Sequence, residues 1–181
     1  VDTRSAQPQT FQILLKEGTK VRKTLPYKLE TRQTLKRSAF NASDVLYLLM
    51  PDRFASGNSK LNNVPGLKEP KVDLSNPDGR HGGDIAGLRS KLPYLQDLGV
   101  TAVWPTPMLI NDMPSHTYHG YAITDYYQID PRMGSNEEFK ALVADCHRHG
   151  IKFIMDWVFN HCGSENFIFR DRPSDDWFNY N

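Results

Sequence analysis

The sequence predicts an α/β fold built on a parallel sheet, on three observations. Apolar runs without alternation recur at residues 45–50 (VLYLLM), 100–104 (VTAVW) and 151–159 (IKFIMDWVF), as expected of strands covered on both faces. Apolar residues at helical spacing precede the second and third runs. Polar, aromatic and histidine-rich stretches follow the runs, where a parallel α/β sheet carries its chemistry.

Taken in order, residues 11–15 (FQILL) and 20–29 (KVRKTLPYKL) read as short strands separated by Gly18, with Pro26 limiting the second to an edge. A turn at residues 41–44 (NASD) leads into the first buried run, which Pro51 closes. Residues 56–83 are rich in Asn, Gly and Pro and too long for an ordinary connection, so they are either functional or mobile. Ile85, Leu88, Leu92, Leu95 and Leu98 then predict one helix stopped by Gly99. Ser135 and Glu138 form a capping box ahead of Phe139, Leu142, Val143 and Cys146, and Gly150 ends that helix. The two stopping glycines stand 51 residues apart, a spacing that suits successive strand-loop-helix units. Trp104 and Trp157 are expected in the core, and Tyr126 and Tyr127 as packing residues.

Composition sets the outer bounds. In 181 residues, 22 Lys and Arg face 21 Asp and Glu, a net charge of +1 that disfavours general binding of polyanions such as nucleic acid. At 39% hydrophobic and 11% aromatic, the chain has enough apolar surface for an ordered core. No run approaches the roughly 18 apolar residues of a membrane span. Residues 1–10 hold no apolar stretch that could act as a secretory signal, although a leader removed earlier is compatible with this. Cys146 and Cys162 are too few for a disulfide framework and leave the compartment open.

Charge is unevenly placed. Residues 1–40 carry nine Lys and Arg against three Asp and Glu, and the remainder thirteen against eighteen, so a boundary is expected near Phe40. The cations Lys16, Lys20, Arg22, Lys23, Lys28, Arg32, Lys36 and Arg37 are interleaved with apolar residues. That favours a solvated strand face over a basic arm for nucleic acid.

Two parallel architectures compete. A dinucleotide-binding fold needs a glycine-rich turn after its first strand, but PDRFASGN follows Met50 and no G-x-G-x-x-G occurs. A (β/α)8 barrel places its chemistry on loops after the strands, where this chain has Asp52 and Arg53, then residues 116–125, then Asn160 and His161. A barrel takes about 250 residues. Only 138 follow residue 43, so about three β/α units, a partial barrel, are expected here. The open sheet edge of such a piece implies poor solubility, self-association or completion by further chain.

The stretch FIMDWVFNH at residues 153–161 contains D-x-V-x-N-H (Asp156, Val158, Asn160, His161) and resembles the first conserved region of the α-amylase family of glycoside hydrolases. Its surroundings extend the resemblance over about residues 44–181: MPDRFASGN, then HGGDIAGLRSKLPYLQDLGVTAVWPTP, then YHGYAITDYYQIDPRMG leading into the third strand. Residues 1–40 resemble, more weakly, the closing strands of the β-sandwich that precedes the barrel in the cyclomaltodextrinase and neopullulanase branch. The expected domains are therefore residues 1–40 as the end of a sandwich or a linker, and 41–181 as the front of the catalytic barrel.

On residue chemistry, alternation puts Asp156, Val158 and Asn160 on one face as the strand ends, with His161 opening the loop. A carboxylate there can orient a neighbouring cation and an imidazole can donate to a hydroxyl, although a mere strand-end cap is the plainer alternative. The resemblance implies that His161 contacts the sugar at the cleaved position. It also implies that Asp156 supports a catalytic-region arginine from a later strand without being the nucleophile. In Tyr118-His119-Gly120-Tyr121 it implies a stacking Tyr121 and a hydroxyl-binding His119, which suits the apolar faces and polar edges of sugars. His116 and His119 have H-x-x-H spacing, but no carboxylate or thiol stands at a spacing that would complete a zinc site.

The same branch builds a calcium site from the loop after the first strand and a G-G-D turn. The matching candidates are Asn58, Asn62, Asn63, Gly82 and Asp84, with Asn160 calcium-linked or structural. Here S-G-N-S-K-L-N-N has an extra residue and Asn in place of Asp, so either weakened calcium binding or an ion-free Asn-rich turn is expected.

The resemblance implies retaining hydrolysis of α-1,4-glucosidic bonds in starch-derived glucans, maltooligosaccharides, cyclodextrins or pullulan. In such a family the nucleophilic Asp and acid/base Glu lie beyond Asn181, so the 181-residue piece is expected to be inactive. A non-catalytic carbohydrate-binding half-barrel and an amylase-family transglycosylase or isomerase are the alternatives. A homodimer of the parent is compatible with the branch. A periplasmic or secreted location is favoured over a cytoplasmic one, with compartment otherwise open.

Overall fold

The computed structural model describes residue 7, residues 9–29 and residues 40–179. Contacts divide the chain into two units, Val1–Phe40 and Asn41–Asn181.

In the first unit β1 (Gln9–Glu17) and β2 (Lys20–Leu29) form an antiparallel hairpin. Gly18 turns it at φ 57°, a left-handed conformation that favours glycine. Phe11 pairs with Tyr27, their ring centres 5.1 Å apart, and Pro26 sits opposite Gln12. Lys16, Lys20, Arg22, Lys23 and Lys28 are exposed along the hairpin, while Arg32, Lys36 and Arg37 lie outside the described residues.

The second unit runs β3 (Leu46–Leu49), α1 (Pro51–Phe54), α2 (Ile85–Ser90), α3 (Leu92–Asp97), β4 (Ala102–Pro105), β5 (Leu109–Ile110), β6 (Asp125–Ile129), α4 (Asn136–Arg148), β7 (Lys152–Phe153) and α5 (Phe167–Arg170). The apolar runs become a parallel sheet in the order β3-β4-β7, with Leu46 opposite Ala102 and Ala102 opposite Lys152. Ile85 and Leu88 of α2, Leu92 and Leu95 of α3, and Leu142 and Cys146 of α4 are buried in one cluster with Leu49, Val103 and Ile151. Each Leu or Ile so buried contributes about 1.5–3 kcal/mol. The capping box forms as read: Ser135 Oγ accepts the Glu138 N–H at 3.1 Å, and Glu138 Oε2 accepts the Ser135 N–H at 2.8 Å.

The structure departs from the sequence reading in several elements. Residues 45–50, expected to be covered on both faces, leave Val45 51%, Leu46 48% and Leu48 58% exposed, because alternation along β3 turns only Tyr47 and Leu49 toward the apolar cluster. The helix expected through Leu98 is two helices, broken at Lys91 (φ −102°, ψ 2°), because Pro93 cannot donate an N–H and crowds the carbonyl four residues earlier. The strand expected over residues 151–159 keeps ladder pairing only at Lys152 and Phe153. Ile154 N–H still reaches Val103 O at 2.9 Å, but the next donor in a parallel ladder would be Pro105, which has none.

Trp157 lies past that point and is 39% exposed, its ring 5.8 Å from Tyr126 and 6.2 Å from Phe159 instead of in the core. Tyr127 is 75% exposed, because alternation along β6 turns Tyr126 toward the core and Tyr127 away. β5 and β6 form an antiparallel pair that the sequence pattern does not announce, since Leu109–Ile110 is too short to show a period.

Residues 56–83 are folded. A 3-10 turn spans Ser59–Asn62, Asn63 bridges Lys71, and Asp73 N–H bonds Arg80 O at 2.8 Å.

Candidate functional site

The site lies where the parallel strands end, between the turn at residues 118–121 and the segment leaving β7. Gly120 has φ 84°, and a Cβ there would stand 2.0 Å from Pro107 O, so the backbone itself demands glycine. Beneath the turn, Thr117 N–H bonds Glu69 Oε2 at 2.9 Å and Thr117 O accepts Asn111 Nδ2 at 3.3 Å. Arg132, 1% exposed, locks this floor: its guanidinium binds Asp130 Oδ1 (2.8 Å) and Oδ2 (2.6 Å), Asn111 O (2.7 Å) and Glu69 O (2.9 Å). A buried guanidinium is tolerable only with such partners. The sequence reading named none of Glu69, Asn111 or Arg132; the Asp-Pro-Arg after Ile129 was its available signal.

Three of the expected residues come together around Tyr121. Its hydroxyl donates to Asp156 Oδ2 at 2.9 Å, and Trp104 Nε1 donates to the same oxygen at 3.1 Å. Burial and the Asp156 carboxylate push the Tyr121 phenol upward, so it remains a donor. Asp156 therefore orients an aromatic ring here, and its partners among the described residues are neutral rather than a cation. Trp104, expected in the core, is half-buried and serves this hydrogen bond, a role that its strand pattern concealed.

The His119 and Tyr121 rings lie 5.9 Å apart at 28°. His119 Nδ1 accepts the Tyr121 N–H at 2.9 Å. Burial first, and His116 second, hold the His119 imidazole below its usual range against the pull of Glu69. The neutral ring then carries its proton on Nε2, for which no partner stands among the described residues. His161 Nε2 donates to Tyr121 O at 3.0 Å, and its Nδ1 lies 3.3 Å from Asn160 Nδ2. Tyr126 Oη donates to the carbonyls of Val158 (3.2 Å) and His161 (3.0 Å) and fixes that segment. The result is a half-exposed aromatic face edged by imidazoles, a surface suited to a polyol ring.

The oxygen-rich candidates divide. Asp84 is engaged by backbone: Oδ1 caps α2 through Gly87 N–H (2.7 Å), Oδ2 accepts Asn58 N–H (2.8 Å), and both face Gly57 N–H (3.1 and 3.0 Å). Asn58 Oδ1 accepts Lys60 N–H at 3.2 Å. Asn62 Oδ1 is buried without a hydrogen-bond partner, and a Cβ on Gly82 would lie 2.7 Å from it. Asn63 pairs with Lys71 through its backbone, and Asn160 contacts His161. Among the described residues no three His, Cys, Asp or Glu gather as a metal cluster.

Parallel strands with helices packed against them and an aromatic, imidazole-edged face at their carboxyl ends place the chain in the α/β class. Within it the match is specific: the family model "Alpha amylase, catalytic domain" covers residues 48–181, and the chain belongs to that family. It is 39% identical over 142 residues to a cyclomaltodextrinase of Thermoanaerobacter pseudethanolicus, covering 75% of this chain and 24% of that protein. To neopullulanase 2 of Thermoactinomyces vulgaris it is 44% identical over 128 residues, 70% of this chain and 21% of that one. An Anoxybacillus α-amylase structure superposes with a TM-score of 0.67 at 36% identity, covering 76% of this chain and 28% of its own. The chain thus spans about a quarter of the length of these relatives.

Proposed function

We propose that this chain supplies the first three β/α units of a (β/α)8 glycosidase barrel acting on α-1,4-linked glucans, with the β1–β2 hairpin as the closing strands of a preceding β-sandwich. The observation that carries the reading is the Tyr121 ring, hydrogen-bonded to Asp156 and flanked by His119 and His161 at the carboxyl ends of the strands. The ring takes the apolar face of a glucose unit, while His119 Nε2 donates to its hydroxyls and His161 borders the cleaved position. Asp156 holds Tyr121 and Trp104 in place and is not the nucleophile. Cleavage with retention needs two carboxyl groups about 5–5.5 Å apart, which later strands of the whole polypeptide supply.

Calcium fits the loop at one point, the orphaned Asn62 oxygen beside Gly82. Asn62 Oδ1 and the Gly82 carbonyl would hold it, whereas Asn58 Oδ1 and both Asp84 oxygens already accept backbone N–H groups and would have to give these up to join them. Asn160 stays with His161.

The test is maltooligosaccharide binding and hydrolysis by the whole polypeptide. Tyr121→Ala is expected to weaken binding roughly tenfold or more, and His161→Ala to lower turnover. Undiminished affinity in Tyr121→Ala would overturn the platform reading, and binding without any turnover would favour a carbohydrate-binding module.

A further inference from the structure

The Arg53 guanidinium is committed on three sides. Nη1 pairs with the Asp52 carboxylate, Nη2 donates to Pro77 O at 2.7 Å, and the planar group lies 4.2 Å from the centre of the Tyr118 ring. Its Asp52 anchor is itself immobile. Asp52 is 1% exposed and accepts the N–H groups of His81 (2.8 Å) and Gly82 (3.1 Å), with Arg80 Nε 3.5 Å away. The end of the 56–83 loop and α1 therefore make one rigid seat, and Arg53 connects it to the turn.

From Tyr118 the contacts continue ring to ring: 5.3 Å to His119, then 5.9 Å from His119 to Tyr121. Tyr118 and Tyr121 bracket Gly120, whose backbone packs directly against Pro107 O and bonds Thr117 O at 3.2 Å, so the turn is held on its inner side. Displacing Tyr118 consequently moves the two rings that face the saccharide.

We infer that Arg53 is a positioning residue for the saccharide platform: its guanidinium, held by Asp52 and Pro77, fixes Tyr118 and through it His119 and Tyr121. The inference rests on the proposed role of that platform. Lysine cannot substitute, because an ammonium lacks the flat face and the fork that bond Tyr118, Asp52 and Pro77 together.

The experiment measures maltotriose affinity, KM and kcat in the whole polypeptide for Arg53→Ala, Arg53→Lys, Tyr118→Phe and Tyr118→Leu. Both Arg53 variants should bind roughly three- to thirtyfold more weakly, with kcat changed less than about twofold. Tyr118→Phe, which keeps the ring, should match wild type, and Tyr118→Leu should match Arg53→Ala. The double variant R53A/Y118L should be no worse than either single one, because both remove the same contact.

Wild-type affinity in Arg53→Lys, or fully additive losses in the double variant, overturns the inference. Should Arg53→Ala fail to fold, Arg53→Lys against Tyr118→Leu decides. Tyr121→Ala separates the two readings: loss there with intact affinity in both Arg53 variants sinks this inference alone, and no loss there sinks the platform itself.

Discussion

The two ends of the parallel sheet treat their aspartates in opposite ways. At the amino ends, Asp44 before β3 accepts Lys152 Nζ (2.7 and 2.8 Å), Thr101 Oγ1 (2.8 Å) and Asn41 N–H (2.8 Å). Those bonds, led by Lys152, hold its carboxyl well below the usual range, at about 2. At the carboxyl ends, Asp156 binds, among the described residues, the neutral donors of Tyr121 and Trp104, and His161 spends its Nε2 proton on the Tyr121 carbonyl, with no cation in the arrangement. Phe159 there is 88% exposed. One end is closed by charge pairing and ties three strands together, while the other keeps polar capacity in reserve. That is the division of labour a parallel α/β sheet imposes, because its post-strand loops converge at one end.

The largest test of this contrast is Gly120→Ala. A Cβ 2.0 Å from Pro107 O at φ 84° forces the turn open, at a cost of about 2–4 kcal/mol. Urea denaturation should show that loss together with loss of saccharide affinity. A variant as stable as wild type would mean the turn is not held as described.

Next comes Tyr121→Phe, which keeps the ring and deletes its bond to Asp156. Affinity should fall by about 1 kcal/mol, several-fold by calorimetry, with unfolding little changed. Equal damage to stability and binding would erase the difference between the two ends.

At the amino end, Lys152→Met should act through pH. Asp44 has an ordinary carboxyl pKa of 3.8 when unfolded and about 2 when folded, so its pairing stabilises the fold above about pH 4. That contribution is lost as pH falls through about 2, because the unfolded chain takes up the proton first. The gap in urea midpoint between wild type and Lys152→Met should therefore shrink from pH 6 to pH 2, and a constant gap would exclude an electrostatic clamp.

The smallest effect concerns His119. Its folded pKa lies below 6.5, so the unfolded chain protonates first and stability declines as pH drops below that value. Protonating Nδ1 also removes the Tyr121 N–H bond. Titration by NMR should place its midpoint below 6.5 and raise it in His116→Ala, because His116 contributes to the depression.

Much of this was legible in the chain. Residues 45–50 and 100–104 and the Ser135–Glu138 capping box are local signals of period and cap chemistry, and each formed where read. Tyr121, His119, His161 and Asp156 are brought into contact with one another, since their motifs lie next to strand ends. Pro93 and Pro105 break a helix and a neighbouring ladder through a missing N–H, an effect that the apolar period does not carry.

By itself, the sequence determined which segments become parallel strands and helices, because apolar period, caps and glycines act over a few residues. Only the tertiary structure decided the partners. Asp156 received Trp104 and Tyr121, Asp84 became a backbone clamp, Arg132 became the floor of the turn, and Arg53 met Tyr118. Hydrogen bonds and ring contacts of this kind join residues far apart in the chain. Folding brings them within reach, and burial makes it costly to leave any of them unpaired.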